Sequence, residues 1–524
     1  MKYNHIAFNK TGYFSSLICD YLDEKPQLNP FYNRFPKLEN FKAQIKQKGA
    51  SFSLENRNTL VSVLKKQYQN VETSQLTKQH IESLKSEHTF TITGPLYFLY
   101  KIVSTINLSK ELKAEYPENN FVPIYWMATE DHDFDEINYF NFKGKKFQWS
   151  KDEGGAVGEL SNEGLDAILE MFSQDLGYTT NAENLKALFK NAYLDHDNLS
   201  DATRFLANEL FKDYGLVIID ANERPLKRLF ISHVETELLN QTAFNAVSEM
   251  NVKLSSISAD YKIQVNPREI NLFYLAKNLR ERIVFEDDVY KVLNTDIIFS
   301  KSEIQKELLE HPERFSPNVI MRPLYQEVIL PNLCYIGGGG ELAYWMQLKD
   351  YFDKVEVTFP ILLLRNSVLI QTEKQAKKLK KLDISIEDIF LKRDALINKK
   401  VREISNIDID FSIQKNQLKQ QFENLFNLAK KTDKSFLGAI KAQEIKQLKG
   451  LDNLEKRLLK AQKRKLSDEV GRMTDIQNEL FPNGNLQERN TNFSEFYLEY
   501  GEQLIPNLIE NLKPLKNEFT ILTV

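Results

Sequence analysis

Apolar and polar positions follow three different patterns along the 524-residue chain, and each pattern predicts a different kind of structure. In residues 1–88 the apolar positions recur at helical spacing in a mostly polar background, which predicts an N-terminal helical part of the core. From 89 to 372, short apolar runs such as "FVPIYWMA", "GLVIID", "NLCYI" and "VTFPILLL" alternate with amphipathic helical stretches. This alternation favours an α/β fold with a mostly parallel sheet covered by helices.

The third pattern covers residues 373–480 and is typical of long helices. No proline occurs from Ile361 through Phe481, and two short apolar seams have heptad-like spacing. The seams consist of Leu418, Phe422, Leu425 and Ala429, and then of Leu451, Leu454, Leu458 and Ala461. They span too few heptads for a long free coiled coil, so they predict an antiparallel helical arm. The exposed stripe of such an arm pairs most simply with a second copy of the chain, and residues 481–524 are expected to return to the core.

Composition and charge narrow the class of protein. A chain of this length is expected to form two or three domains, and its 42% hydrophobic share is ample for folded cores. The net charge of −4 gives no electrostatic case for binding nucleic acid or anionic membranes. No apolar stretch approaches the ~20 residues of a membrane span, and the N-terminus lacks the apolar core of a signal peptide. The two cysteines, Cys19 and Cys334, are far apart, so we expect a cytoplasmic protein without a disulfide framework.

A cluster of ionisable side chains follows one of the predicted strands. In "IYWMATEDHDFDEINYF", residues 124–140, the apolar run stops and Glu130, Asp131, His132 and Asp133 follow. Ligands of parallel sheets bind at the carboxyl ends of the strands, so this position predicts a site. Metal binding is one interpretation, but no second histidine or cysteine lies at ligand spacing. Carboxylates that bind a substrate amine, or position it for deprotonation, explain the cluster without a metal.

Three further polar residues are candidates for ligand binding. Asp220 ends the predicted strand "GLVIID", with a helix cap or turn as the alternative interpretation. Arg268 and Arg322 lie beside prolines in "VNPREINLFYL" and "MRPLYQEVILPN". A guanidinium group can clamp a carboxylate or phosphate with two parallel hydrogen bonds, and a polar surface turn is the alternative for both arginines.

Two glycine-containing turns follow predicted strands and are candidate anion sites. In "TFTITGPLYF" the Thr93–Gly94 turn leads into a helix, whose N-terminus suits a phosphate or carboxylate; a plain strand-to-helix turn is the alternative. In "NLCYIGGGGELAYW" a strand runs into Gly337, Gly338, Gly339 and Gly340, and Glu341 opens the next helix. Residues without Cβ let a ligand approach the backbone closely, although the pattern matches neither the dinucleotide fingerprint nor the Walker loop.

Six blocks, in order, resemble the BshC-type cysteine ligases of bacillithiol biosynthesis over nearly the whole chain. They are "TGPLYFLYKIVSTINL", "PIYWMATEDHDFDEINYF", "VNPREINLFYL", "MRPLYQEVILPN", "YIGGGGELAYWMQLK" and "FPNGNLQERNTNFSEFY". The resemblance implies a Rossmann-like core related to class I synthetase nucleotidyltransferases, with connecting insertions and a helical coiled-coil domain that supports a dimer. The implied reaction joins the carboxyl group of cysteine to the amine of glucosaminyl-malate.

The resemblance also implies roles for the candidate residues. Amide formation from a free carboxylate is uphill in water, so activation by ATP is expected. The nucleotide phosphates would lie against Thr93, Gly94 and the four glycines. Asp131, His132 and Asp133 suit the substrate amine, with His132 or Asp133 as general base. The predicted substrate-binding residues are Glu130, Asp220, Arg268, Arg322 and Glu341, the two arginines for the malyl group.

Two departures distinguish this chain from the implied pattern. The family carries a longer, TGxQ-type turn before "TGPLY", whereas "TFTI" runs directly into it here, and neither a HIGH nor a KMSKS signature is present. Two other classes of protein therefore stay open at this point: a scaffold that recruits partners through the arm, and a metal-dependent hydrolase. The ligase hypothesis requires strand ends and glycine turns from distant parts of the chain to meet at one edge of the sheet.

Overall fold

A computed structural model describes residues 2–93, 98–151, 154–432 and 434–524. The strands are β1 (Lys2–Ala7), β2 (Thr89–Thr93), β3 (Asn120–Met127), β4 (Tyr139–Phe142), β5 (Lys145–Gln148), β6 (Val217–Asp220), β7 (Leu272–Ala276), β8 (Leu279–Glu286), β9 (Val289–Val292), β10 (Ile298–Phe299), β11 (Phe315–Pro317), β12 (Asn332–Gly337), β13 (Ile361–Leu364), β14 (Val368–Gln371) and β15 (Glu518–Thr523).

The α-helices are α1 (Phe8–Thr11), α2 (Ser16–Leu22), α3 (Asn40–Ser51), α4 (Leu54–Gln67), α5 (Gln75–Ser83), α6 (Phe98–Glu115), α7 (Phe134–Ile137), α8 (Leu165–Leu176), α9 (Thr180–Tyr193), α10 (Leu199–Phe211), α11 (Arg224–Arg228), α12 (Ile231–Asn240), α13 (Thr242–Ile257), α14 (Lys301–Glu310), α15 (Met321–Ile329), α16 (Gly339–Met346), α17 (Lys349–Lys354), α18 (Glu373–Lys381), α19 (Ile386–Ile389), α20 (Arg393–Ile404), α21 (Ser412–Ala429), α22 (Lys434–Lys465), α23 (Ser467–Leu480), α24 (Gln487–Asn490), α25 (Phe493–Tyr500) and α26 (Leu504–Asn511). Short 3-10 helices cover Pro26–Phe31, Val157–Glu159, Lys212–Tyr214, Pro312–Arg314, Pro482–Gly484 and Gly501–Gln503.

The centre of the fold is a parallel sheet of five strands in the order β13-β12-β2-β3-β6. Every neighbouring pair is parallel, and β2 and β12 are buried along their whole length, as expected for a sheet covered by helices on both faces. The chain adds β3 and β6 on one side of β2 and adds β12 and β13 on the other. The strand order therefore reverses between β2 and β12, and ligands of such sheets bind at this point, beyond the carboxyl ends of the strands. The predicted α/β, Rossmann-like core is confirmed.

An antiparallel sheet inserted between β6 and β12 lies next to the carboxyl edge of the core. Its order is β10-β9-β8-β7-β11. In the pairing of β7 with β8, Phe273 is opposite Arg282, and Leu275 is opposite Arg280. Because side chains alternate along a strand, Phe273, Arg280 and Arg282 share one face of this sheet. That face meets the end of β3, since the ring of Phe273 lies 5.3 Å from the ring of His132.

A third sheet joins the two ends of the chain, with β1 antiparallel and β14 parallel to the central β15. Gln487 in α24 extends this sheet, because its side-chain amide accepts a hydrogen bond from Ile370 N at 2.9 Å and donates one to Ile370 O at 3.0 Å. The neighbouring Glu488 forms an ion pair of 2.7 Å with Arg365, which follows β13. Both side chains of this pair are buried, so the C-terminal segment is anchored to the core next to the parallel sheet.

The helical arm is an antiparallel pair formed by α21 and α22. Lys415 near the start of α21 forms ion pairs of 2.6 Å and 2.7 Å with Asp452 and Glu455 in α22. Closer to the turn between the helices, Phe422, Ala429 and Ile440 form a small apolar cluster. The predicted coiled-coil domain is thus confirmed, although only part of its apolar seams is buried within the chain.

Several apolar side chains of the arm remain exposed to solvent. They are Ile413, Leu425, Leu428, Phe436, Ile445 and Leu454. Leu458 from the second seam instead packs on Ile397 and Val401 of α20. No helix among the described residues is both long and apolar enough to cross a membrane.

Candidate active site

A cavity of about 550 Å³ lies at the carboxyl edge of the parallel sheet. The predicted site residues among its lining are Glu130, Asp131, His132, Arg268, Arg322 and Glu341. They come from the end of β3, from the segment before β7, from α15 and from the helix after β12. Residues that are distant in sequence therefore meet at one edge of the sheet, including Glu341 directly after the glycine turn, whereas Thr93 and Gly337 to Gly340 are not among the lining residues.

Glu130 is held by a buried lysine that sequence reasoning did not identify. Lys227 Nζ lies 2.5 Å from Glu130 Oε2 and donates a second hydrogen bond to Phe315 O at 3.1 Å. The Lys227 side chain is 1% exposed, and burial lowers its pKa while Glu130 opposes that shift. The pair fixes the turn after β3 against β11 and already compensates the charge of Glu130.

Asp131 and His132 lie side by side and are about half exposed. Asp131 Oδ1 accepts a hydrogen bond from the backbone N of His132 at 2.7 Å, and it lies 3.4 Å from His132 Nδ1. Arg280 in β8 contacts His132 Nδ1 with its Nη1 atom, which is also 3.7 Å from Asp131 Oδ1. The carboxylate and the imidazole are thus held together by a cation from the antiparallel sheet.

Two of the predicted catalytic and substrate-binding residues lie outside this cavity. Asp133 is solvent-exposed at the N-terminal end of α7 and does not line the cavity. Asp220 accepts hydrogen bonds from Thr129 Oγ1 at 2.5 Å, from Ser200 Oγ at 2.9 Å and from Asn222 N at 2.9 Å. Both oxygens of this carboxylate bind protein donors, which matches the turn interpretation of Asp220 rather than ligand binding.

The four glycines form the entry to α16, and close packing explains the first of them. None of the four has a positive φ, so the backbone does not use the left-handed region here. A Cβ on Gly337 would lie 2.7 Å from Tyr335 Cε1 and 2.8 Å from Leu342 Cδ1. The other three turn residues, Gly338, Gly339 and Gly340, are less buried and lead directly to Glu341.

Glu341 closes this turn and pairs with a second buried lysine. Its Oε2 atom accepts a hydrogen bond from Gly338 N at 2.6 Å and forms an ion pair with Lys101 of α6. Burial lowers the pKa of Lys101 to about 8, although the carboxylate of Glu341 opposes the shift. Glu341 is therefore a helix cap and a counter-ion as well as a residue of the cavity wall.

Thr93 ends β2 at the point where the strand order reverses. Its Oγ1 atom accepts a hydrogen bond from Gln326 Nε2 at 3.0 Å, so the side chain belongs to a buried polar network. Gly94, the other residue predicted in this turn, lies outside the described residues.

Four arginines make the cavity strongly cationic, and only two of them were predicted. Arg280 and Arg282 line the cavity together with Arg268 and Arg322. The missed pair occurs in "LRERIVFE", where the two arginines alternate with other residues along β8. Because residues two apart lie on the same face of a strand, this spacing is the sequence pattern that could have identified the two arginines as neighbours. Burial and the charge of Arg268 lower the pKa of Arg282.

Arg322 has a buried donor without a protein partner. Its Nη2 atom donates to Tyr344 Oη at 2.8 Å, whereas Nη1 has no hydrogen-bond partner among the described residues. Burial acts to lower the pKa of Arg322, but interactions with Tyr344 and Tyr335 raise it overall. A charged donor that is buried and unpaired is costly unless a ligand supplies the acceptor.

A second cavity of about 410 Å³ shares Met127 and Ala128 with the first. Its walls are largely apolar, with many aromatic side chains, and no charged side chain occurs among its described lining residues. Glu130, Asp131 and His132 of the strand-end cluster therefore line the first cavity and not the second. Within the described parts of the chain, no group of three or more His, Cys, Asp or Glu residues could hold a metal ion.

Comparison with known proteins covers both domains. The family model described as "Bacillithiol biosynthesis BshC, N-terminal Rossmann-like domain" matches residues 1–366, and the one described as "Bacillithiol biosynthesis BshC, C-terminal coiled-coil domain" matches residues 368–524. The chain is 61% identical to a Flavobacterium johnsoniae protein named "Putative cysteine ligase BshC", over 99% of each chain.

Two further relatives carry the same name. One, from Christiangramia forsetii, is 59% identical over 100% of this chain and 99% of its own. The other, from Cytophaga hutchinsonii, is 36% identical over 97% of this chain and 96% of its own. The resemblance found in the sequence blocks is confirmed, and the chain belongs to the BshC family of bacillithiol biosynthesis.

Proposed function

We propose that this protein is a cysteine ligase that joins the carboxyl group of L-cysteine to the amine of glucosaminyl-malate, which forms bacillithiol. Family membership across both domains and the name shared by its relatives support a ligase over a scaffold or a hydrolase. The observation that carries the proposal is the single cavity in which the strand-end cluster meets four arginines.

The charges of this cavity are complementary to glucosaminyl-malate. That substrate has two carboxylates and one amine, and the cavity presents Arg268, Arg280, Arg282 and Arg322 together with acidic groups near β3. Charge-assisted hydrogen bonds from guanidinium to carboxylate are among the stronger contacts available to proteins. The unpaired Nη1 of Arg322 is the donor best suited to a malyl oxygen.

Asp131 and His132 are the proposed catalytic groups. An attacking amine must be neutral, so a nearby base has to hold its proton. Both residues line the cavity, whereas Asp133 lies outside it. Asp131 and His132 are therefore the candidate catalytic residues, and the proposed mechanism does not use Asp133 or Asp220.

ATP is the proposed source of energy for amide formation, since it would supply activation of the cysteine carboxyl group. The reversal of strand order between β2 and β12 supports a nucleotide site near Thr93 and the Gly337–Gly340 turn. α16 begins within this turn, at Gly339, and its N-terminus presents backbone N–H groups suited to phosphate.

The proposal is tested with purified full-length protein supplied with cysteine, glucosaminyl-malate and ATP. Mass spectrometry of thiol-labelled products is expected to detect bacillithiol only when all three are present. His132→Ala is expected to reduce turnover by about 100-fold or more, as for loss of a group that contacts the reacting substrates, with an unchanged melting temperature. Binding of glucosaminyl-malate without any thiol product would favour the scaffold instead.

We also propose that the protein is a homodimer joined through the arm and that it works in the cytoplasm. The exposed apolar side chains of α21 and α22 support the first proposal. Two free cysteines, Cys19 and Cys334, are compatible with the second.

A further inference from the structure

The protonation of His132 follows from the residue that contacts its ring. Arg280 Nη1 lies within hydrogen-bond distance of His132 Nδ1. A guanidinium group has donors but no acceptor and remains charged in proteins, so Nδ1 must be the acceptor of this hydrogen bond. The imidazole is then neutral, and its proton is on Nε2.

Asp131 is the alternative hydrogen-bond partner of Nδ1, as an acceptor instead of a donor. If Nδ1 carried a proton, it could donate to Asp131 Oδ1, which lies 3.4 Å away. That oxygen already accepts a hydrogen bond from His132 N at 2.7 Å and faces Arg280 Nη1 at 3.7 Å. Arg280 Nη1 lies within hydrogen-bond distance of Nδ1, whereas Asp131 Oδ1 is farther away and already has a donor, so the geometry favours the arginine as the partner of Nδ1.

Arg280 is itself buried and held in place by two further contacts. Its side chain is 6% exposed, and its guanidinium carbon lies 4.0 Å from the centre of the Phe273 ring. Its Nε atom donates to Ser316 Oγ at 3.4 Å. The antiparallel sheet therefore presents a rigid cation to His132. The charged groups that share the cavity with this histidine are Glu130, Asp131, Arg268, Arg280, Arg282, Arg322 and Glu341.

On the basis of the proposed ligase function, we propose that Arg280 is a positioning residue that holds His132 as the Nε2–H tautomer. His132 then presents a hydrogen-bond donor to an anionic oxygen of the bound substrates, and its Nδ1 lone pair is occupied by Arg280. It follows that Asp131, and not His132, accepts the proton that the substrate amine loses. The inserted sheet thus decides which member of the strand-end cluster acts as the base.

A double-mutant cycle tests whether Arg280 acts through His132. Arg280→Gln and His132→Gln are each expected to lower kcat on the order of 100-fold, the usual effect of losing one preorganised donor. The double variant is expected to be no slower than His132→Gln alone. Arg280→Lys keeps one charged donor and should recover part of kcat.

Arg282→Gln is the matched control because it removes the same charge from the same strand and cavity. The described residues show no contact between Arg282 and His132, so its effect should combine additively with His132→Gln. A further loss of the same size when Arg280→Gln is added to His132→Gln would show that Arg280 acts directly on substrate, which overturns the proposal.

NMR of the ring nitrogens in histidine-labelled protein gives a readout that is independent of ligase activity. At a pH of about 8.5 an ordinary imidazole is neutral, so its tautomer can be read directly. The signal of His132, assigned by its loss in His132→Gln, is expected to be Nε2–H in the unmodified protein and in Arg282→Gln. In Arg280→Gln the Nδ1–H form should appear.

An Nδ1–H signal in the unmodified protein, or no change in Arg280→Gln, contradicts the role of Arg280 whatever the activity. An unmodified protein that makes no bacillithiol, with the expected NMR signals, contradicts the proposed ligase function but leaves the Arg280–His132 contact intact.

Discussion

At the scale of single residues, the charges around the cavity compensate each other in pairs. Glu130 is paired with Lys227, and Glu341 with Lys101. Both lysines are buried, so these pairs shape the cavity wall and leave little uncompensated negative charge from the two glutamates. The arginines are in excess over the remaining carboxylate of Asp131, which is why the cavity favours an anionic ligand.

Arg322 provides a direct test of anion binding. Arg322→Lys keeps the charge but loses the second donor of the guanidinium fork. Loss of one charge-assisted hydrogen bond, about 1.5–3 kcal/mol, should raise the KM for glucosaminyl-malate by roughly 10- to 100-fold. Tyr344→Phe removes only the internal partner of Nη2 and is the control, with a smaller expected effect. Equal KM values in Arg322→Lys and the unmodified enzyme would exclude this residue from substrate binding.

The lowered pKa of Lys101 predicts that the stability of the protein depends on pH in the alkaline range. Its pKa in the folded protein is lowered to about 8 by burial, although Glu341 opposes the shift, whereas an unfolded lysine titrates near ~10.4. Between these values the unfolded chain binds more protons, so the contribution of Lys101 to stability rises with pH.

The measurement compares urea unfolding of the unmodified protein and of Lys101→Met at several pH values. The difference in their free energies of unfolding is expected to change by about 2 kcal/mol in favour of the unmodified protein between a pH of about 8 and 10.4. A difference that is constant over this range would mean that Lys101 keeps an ordinary pKa.

At the scale of elements, turns after parallel strands bring the candidate residues together. Apolar runs such as "FVPIYWMA" predict the strands because a parallel sheet is buried on both faces. Polar residues directly after such a run must then lie at the carboxyl edge. The role of each turn residue depends, however, on its neighbours in the folded protein. Asp220 accepts hydrogen bonds from three protein donors, and Gly337 is packed between side chains.

Gly337→Ala tests the packing interpretation of the glycine turn. Its Cβ would overlap Tyr335 and Leu342, so we expect a loss of about 1–3 kcal/mol in unfolding free energy, seen as a lower melting temperature. Gly340→Ala is the control, since its nearest contact would be Gln264 Oε1 at 3.8 Å and alanine favours helix. Equal melting temperatures for the two variants would contradict the packing role of Gly337.

At the scale of the whole molecule, the arm leaves apolar surface that the chain does not cover by itself. Leu428 is 56% exposed and Leu454 is 53% exposed, whereas Leu458 packs within the chain. Heptad spacing indicated the two helices, but it did not separate the side chains that face α20 from those that face solvent. Only the position of the arm relative to α20 makes this distinction.

The proposed dimer predicts that charges on the exposed stripe prevent association. The double variant Leu428→Glu and Leu454→Glu is expected to sediment at half the mass of the unmodified protein with an unchanged melting temperature. Leu458→Ala should leave the mass unchanged and lower the melting temperature instead, because its side chain packs inside the chain. A monomeric unmodified protein would exclude the dimer.

Local patterns were sufficient for the fold class, the arm and the family, because periodicity and short blocks are properties of neighbouring residues. They also placed the strand-end cluster, since an apolar run that stops at Glu130 marks the end of a buried strand. Lys227 and Lys101 were not predicted, because each is identified only by a partner far away in sequence. Which charges are compensated, and which face a ligand, depends on distances between elements, and these exist only once the sheets have packed.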